Sequence, residues 1–394
     1  YHNKLYIDYM KTNNHDFIKA ELLKLYKKNN PSLPTNLNKL INIIKNSLEN
    51  KLAFPLRFFK KLSVGDFACG TGEYALVAAK NGANVEGYDF NSQSIELAKK
   101  NAKKLKINNC KFYTKEFFKI KKKYDFVTCT AALHHLPDPY HGLEFLKSRV
   151  KKGGFLFVSF GLDSSNIIHN LIKLIVRNWG TSSKEITKAS KFLFKNHIDR
   201  CVKLGLRKEE NVIADQFINS QHFYLDLEKV NNILDEDFSL HSSWPPKYLP
   251  LGDSIMNNST DVINNNNLIP SEIIWSSKTF DDKKRILKFK KKNHYKSFKK
   301  LKKILNNSSN KSINEILKKN NIHKLKKSFD YNADFSFDLN SHVCKFYQEI
   351  WDLFSFFKNT KRSLKATKKH ISNKKYIFKG TNGLGLNFFI FRKN

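Results

Sequence analysis

Val64-Gly65-Asp66-Phe67-Ala68-Cys69-Gly70-Thr71-Gly72-Glu73 joins a short apolar strand, with an acid near its end, to a glycine-rich turn. The residues that follow, Tyr74-Ala75-Leu76-Val77-Ala78-Ala79, carry the apolar repeat of a helix. Gly70 and Gly72 have no Cβ, so the turn can take positive φ and a ligand can come close to its backbone. The first turn of the helix then points free N–H groups at that ligand. A cofactor site at the end of the strand is the reading this arrangement invites.

Glycine spacing alone leaves two cofactors open. Gly70-Thr71-Gly72-Glu73-Tyr74-Ala75 satisfies the G-x-G-x-x-A pattern of dinucleotide-binding turns. In such turns the first glycine follows strand hydrophobics directly. Here Asp66 stands between strand and turn, which suits a ligand with a cationic amino group. The run from Asp66 to Gly72 resembles motif I of the class I S-adenosylmethionine-dependent methyltransferases, with Ala68 where the first glycine usually stands.

Downstream residues decide between the two. Ala83-Asn84-Val85-Glu86-Gly87-Tyr88-Asp89 reads as a second strand ending in a carboxylate, followed by Asn91 or Ser92 as a helix N-cap. Ile95, Ala98, Ala102 and Leu105 mark one face of that helix. Cys110-Lys111-Phe112-Tyr113 is a third strand, with Glu116 after it. Tyr124-Asp125-Phe126-Val127 opens a fourth, which runs into Leu133-His134-His135-Leu136-Pro137-Asp138-Pro139. A helix over 140–150, the Gly153-Gly154 turn and the strand Phe155-Leu156-Phe157-Val158-Ser159 follow. These stretches resemble the fourth and fifth motifs of the same family, and three motifs in order are far more specific than a glycine pattern alone.

The resemblance implies an α/β fold: a doubly wound, Rossmann-like, mostly parallel seven-stranded sheet with an antiparallel C-terminal strand, plus a helical lid or insertion. It implies S-adenosylmethionine as cofactor. Asp66, Ala68, Cys69, Gly70, Thr71 and Gly72 would surround its methionine end. Asp89, with Phe90 beside it, would take the ribose hydroxyls, and Glu116, with Phe117, the adenine. Thr130 and Ala131 would face the sulfonium. Methyl transfer from a sulfonium is an in-line displacement that asks mainly for positioning and exclusion of water. A hydroxyl acceptor also wants a base. The candidates are His134 and His135 after the fourth strand, then Asp215 and His222.

Along the chain, residues 1–50 read as an N-terminal helical cap and 51–162 as the cofactor-binding core. Residues 163–276 read as a helical region covering the substrate and contributing one strand. In it Ile167, Ile168, Leu171, Leu174 and Ile175 form a core-facing stripe. The segment from Ala214 to Tyr224 resembles a stretch found in an uncharacterised bacterial subgroup of methyltransferases, followed by a helix over 225–234 and a strand near Phe238-Ser239-Leu240. Residues 257–267, rich in Asn, read as a loop, and 277–375 as a basic Lys/Asn-rich insertion, partly low in complexity over 283–327. Residues 376–394 supply the terminal strand.

The net charge of +36 over 394 residues suggests nucleic acid, and most of the excess lies beyond residue 277. Yet Lys, Asn, Ile and Phe are enriched together, as an AT-rich coding sequence produces, and Lys far outnumbers Arg, the fork that phosphate and base recognition favour. The run Thr128-Cys129-Thr130-Ala131-Ala132 lacks the N/D-P-P-Y type motif of base-amino methyltransferases, and no Pro-Cys nucleophile is present. A small-molecule, sugar or lipid-linked acceptor is therefore favoured over nucleic acid. An RNA-directed methyltransferase and a non-catalytic S-adenosylmethionine-binding protein are the alternatives. The five cysteines are scattered, which argues against disulfides and zinc and for a reducing cytoplasm. No metal is expected. No apolar run is long enough for a membrane span, no leader is evident, and the start at Tyr1 leads us to expect residues before it.

Overall fold

The computed structural model describes residues 34–162, 166–219, 222–234, 237–244, 311–319, 339–358, 363–375 and 386–394, with isolated positions at 20, 22–24, 301, 304–305 and 377–378. Among the described residues one sheet has seven strands in the order β3-β2-β1-β4-β5-β7-β6. β1 (Ser63–Phe67), β2 (Asn84–Asp89), β3 (Cys110–Thr114), β4 (Tyr124–Thr130) and β5 (Val150–Gly161) pair in parallel. β7 (Leu386–Lys393) lies antiparallel between β5 and β6 (Phe238–Trp244). The seven-stranded sheet with its antiparallel terminal strand is the one expected from the sequence. The chain leaves β1 for β2 on one side and returns to β4 on the other, so a crevice opens at the carboxyl ends of β1 and β4.

Strands buried on both faces need apolar side chains on both. Phe157 of β5 and Ile390 of β7 pack on one face with α1 (Leu37–Asn46), α2 (Glu73–Lys80) and α3 (Ser92–Lys104). Leu156, Val158 and Phe160 point the other way, with Phe389 and Phe391, onto α4 (Pro139–Ser148). The helices start where side chains can answer their first N–H groups. The Asn91 side chain accepts from Gln93 N and Ser94 N at the head of α3, and Asp138 accepts from Tyr140 N and His141 N at the head of α4.

Past the carboxyl ends of the strands come α5 (Ile167–Val176), α6 (Ser183–Gly205) and α7 (Glu209–Ile213), followed by a π-turn over Ala214–Ile218. α8 (Leu227–Leu234) returns to pack beside α4. The stripe on α5 implies one buried face, but all ten of its residues are buried. Its second face lies against the π-turn and carries polar groups. The described parts of 277–375 are helical: α9 (Ile313–Lys319), α10 (Leu339–Lys358) and α11 (Leu364–Ser372). Ile313, Ile316, Trp351, Phe354 and Ile371 share one apolar cluster with α5 and α6, so this region is tied to the core by more than its basic composition suggests. The 257–267 segment and most of 283–327 lie outside the described residues. No helix among the described residues is long and apolar enough to cross a membrane.

β7 is hydrogen-bonded on both sides, and Phe389, Ile390 and Phe391 are buried. Deleting residues 379–394 should therefore abolish soluble folding, measured as soluble yield and cooperative unfolding by circular dichroism. A soluble truncation that unfolds cooperatively would contradict this account of the sheet.

Candidate active site

Where β1 ends, the chain turns into α2 through three left-handed residues: Ala68 at φ +53°, Gly70 at +56° and Gly72 at +85°. At Ala68 this conformation carries a cost of about 1–2 kcal/mol that glycine would avoid. At Gly72 space is limiting as well, because a Cβ there would lie 2.7 Å from Phe112 Cζ. The turn is pinned to β2. Cys69 N donates to Tyr88 O at 3.0 Å and Gly70 N to Asp89 Oδ2 at 2.9 Å. Asn91 N donates to Asp89 Oδ1 at 2.8 Å. Phe90 N also reaches this carboxylate, which leaves it one acceptor position for a ligand.

These residues line a cavity of about 410 Å³. Ala68, Cys69, Gly70, Asp89 and Phe90 form part of its wall, and Glu116, Phe117, Thr130 and Ala131 continue it. Asp66, Thr71 and Gly72 are not among its lining residues. Asp66 is 2% exposed and accepts from Ala75 N, while its Oδ2 has no hydrogen-bond partner. Burial, reinforced by the charge of Glu73, raises its carboxyl well above the usual range. Glu73, which the sequence reading left out of the site, does line the cavity. Burial pushes its pKa up to about 7 although the Thr71 hydroxyl donates to it. Two buried carboxyls with one oxygen unanswered suit a cationic group.

The four base candidates converge on the wall of the same cavity. His134 and His135 sit on the tight turn after β4, and Phe223 N donates to His134 O at 2.7 Å, bringing His222 alongside. Ring centroids are 4.2 Å apart for His134 and His135, 4.9 Å for His135 and His222, and 5.6 Å for His134 and His222. Burial, with neighbouring cationic groups, holds the basicity of His134 and His222 well below the ordinary value. Burial would raise Asp215, but Arg207, whose Nη1 lies 3.1 Å from its Oδ2, brings it below the usual carboxylate value.

Three further groups were missed. His169, Lys173 and Arg177 stand four residues apart, so they share one face of α5 and the turn that continues it. That spacing was the signal available in the sequence. All three reach the segment after α7. Because Gln216 O can only accept, His169 Nε2 carries the proton and donates to it at 2.8 Å. His169 Nδ1 then accepts from the Tyr224 hydroxyl at 2.6 Å. Lys173 Nζ donates to Asn219 O at 2.8 Å and lies 3.0 Å from His222 Nδ1. Burial, aided by Arg177, lowers the Lys173 pKa to about 7. Arg177 Nη2 donates to Phe217 O at 3.3 Å.

Residues 58–203 match the family model described as a methyltransferase domain. The ubiquinone biosynthesis O-methyltransferase of Coxiella burnetii (strain RSA 493 / Nine Mile phase I) is 34% identical over 100 residues, 24% of this chain and 41% of that protein. The enzyme of the same name from Actinobacillus pleuropneumoniae serotype 7 is 33% identical over 101 residues, 24% of this chain and 43% of that one. The chain thus spans about two fifths of the length of these curated relatives. Among solved structures, magnesium protoporphyrin IX methyltransferase from Synechocystis PCC 6803 with bound SAH is 19% identical, with a TM-score of 0.33 over 53% of this chain and 76% of that one. PKMT2 from Rickettsia typhi is 14% identical, with a TM-score of 0.42 over 59% and 49%.

The raised carboxyl of Glu73 has a consequence for stability. The folded protein holds a proton there that the unfolded chain has released, so stability is lost as pH rises from about 4.5 to about 7. Glu73→Gln keeps an acceptor for Thr71 without this penalty. In urea unfolding without ligand, we expect the variant to gain on the order of 3 kcal/mol over the wild type at pH 8 and nothing at pH 4.5.

Proposed function

We propose that the protein is an S-adenosylmethionine-dependent methyltransferase that transfers a methyl group to a small-molecule acceptor held beside the histidines of its cavity, a reading supported by the match of residues 58–203 to a methyltransferase domain. The observation that carries this reading is the Asp89 carboxylate. Backbone N–H groups fix both its oxygens, and it lines the cavity with acceptor capacity left for a ligand hydroxyl. A ribose diol is the ligand group that fits such an acceptor.

The rest of the cofactor end follows from the chemistry of its wall. Glu73, with Asp66 behind it, would hold the cationic amino group, and Glu116 and Phe117 would take the adenine. Thr130 and Ala131 would face the sulfonium. The bound cofactor supplies a methyl group on a sulfonium, whose departure leaves a neutral thioether. The chain itself needs only to align the acceptor, exclude water and take up a proton. His134, His135, His222 and Asp215 surround the place where that proton must leave. The O-methyltransferase activity of the curated relatives supports an oxygen acceptor. The described cysteines Cys69, Cys110, Cys129 and Cys201 are free thiols, in keeping with a cytoplasmic setting.

Calorimetric titration tests the reading. S-adenosylmethionine and S-adenosylhomocysteine should bind with micromolar affinity and NADH should not. Asp89→Ala should weaken both by about 10- to 100-fold, the worth of hydrogen bonds to a charged group. Binding of NADH in place of the sulfur ligands would overturn it.

A further inference from the structure

One ring nitrogen from each of His134, His135 and His222 lies within 4.8 Å of the other two, and all three residues line the cavity. They arrive from two separate stretches of chain, the turn Leu133–His135 and the segment after the π-turn, which the Phe223 N to His134 O hydrogen bond locks together. His134 is 6% exposed and its Nδ1 has no hydrogen-bond partner. An unanswered buried polar atom of this kind costs about 1–3 kcal/mol, which a bound ion would relieve. His222 is held at Nδ1 by Lys173, so Nε2 is the nitrogen left on the side of Asp215, 3.9 Å from Oδ1. That distance is too long for a hydrogen bond. Asp215 Oδ2 is already taken by Arg207 at 3.1 Å and Gln216 at 3.3 Å, so Oδ1 is the oxygen turned toward the histidines.

We propose that His134, His135 and His222 bind a divalent transition metal of the zinc type, with Asp215 beside it, and that its open position takes the oxygen of the methyl acceptor. Three imidazoles with a free fourth position is the donor set of a catalytic zinc site. Metal–nitrogen bonds of about 2.0–2.1 Å put tetrahedral ligands about 3.4 Å apart, so the rings must close by about an ångström or more. His135 is only half-buried, the least enclosed of the three. Scattered cysteines gave no hint of this site, because none of its ligands is a thiol.

The role of the ion rests on the methyl-transfer reading above; its binding does not. With the ion bound, the histidines serve as ligands in place of a base: the acceptor hydroxyl would bind the ion and release its proton to water. An oxygen lone pair forms the new bond to carbon as the carbon–sulfur pair stays with the leaving sulfur. No oxidant or reductant is consumed.

The test is a titration of metal-free full-length protein with Co²⁺, read by visible absorption, and with Zn²⁺ against a chromophoric chelator. The same samples are titrated with S-adenosylhomocysteine. We expect four-coordinate cobalt absorption and a loss of metal affinity of at least about 100-fold in His222→Asn and in His135→Ala, with S-adenosylhomocysteine binding retained. S-adenosylhomocysteine binding without cobalt absorption, or absorption unchanged in both variants, overturns the metal site and leaves the methyltransferase reading standing. Cobalt bound through the histidines without S-adenosylhomocysteine binding does the reverse, and neither binding overturns both. Should the variants fail to fold, zinc X-ray absorption of the wild type decides. Imidazole scattering from three nitrogens at about 2.0–2.1 Å upholds the site, and its absence overturns it.

Discussion

Two backbone N–H groups, those of Gly70 and Asn91, meet on the carboxylate of Asp89. One belongs to the turn after β1 and the other to the head of α3, so a single side chain fixes the relative position of two strand ends. The left-handed backbone at Ala68, Gly70 and Gly72 is held in part by that grip. Without it the turn would carry the strain of Ala68 with little to balance it. The wall of the cofactor end, the start of α2 and the start of α3 all take their places from this contact.

The far wall depends on a second set of polar contacts. A π-turn leaves main-chain carbonyls without their helical partners, and buried carbonyls need donors. His169, Lys173 and Arg177 supply them to Gln216, Asn219 and Phe217. Burying the charges of Lys173 and Arg177 is costly on its own, and here that cost is offset by backbone groups that would otherwise go unsatisfied. The exchange fixes residues 214–219 as one wall of the cavity, with His222 and Tyr224 beside it.

β4 and β5 were legible because they are largely buried on both faces and read as apolar runs, while β1 and β2 are marked by the acids and glycines at their carboxyl ends. β7 was legible as β4 and β5 were, its Phe388-Phe389-Ile390-Phe391 run being sandwiched between two neighbours. Of the site, the residues near the ends of β1, β2 and β4 could be placed because the turn chemistry ties them to local sequence. Glu73 escaped notice because an acid in the first turn of a helix is ordinarily a solvated partner of the dipole. The polar face of α5 was hidden because the apolar repeat at Ile167, Ile168, Leu171, Leu174 and Ile175 accounts for the helix without it. The meeting of His222 with His134 depends on a contact across almost ninety residues, which no local pattern encodes.

The position of β7 between β5 and β6 also sets an order of assembly. β6 has no seat in the sheet until residues 386–393 have been made, although every strand from β1 to β5 is complete by residue 161. At translation rates of roughly 5–20 residues per second, the free edge of β5 stays open for about 10–45 seconds in each new chain. That edge carries Leu156, Phe157, Val158 and Phe160, the kind of surface on which other strands add. The nascent protein is therefore most exposed to mispairing after its cofactor half has folded, and the late strand that completes the sheet is also what ends its period of risk.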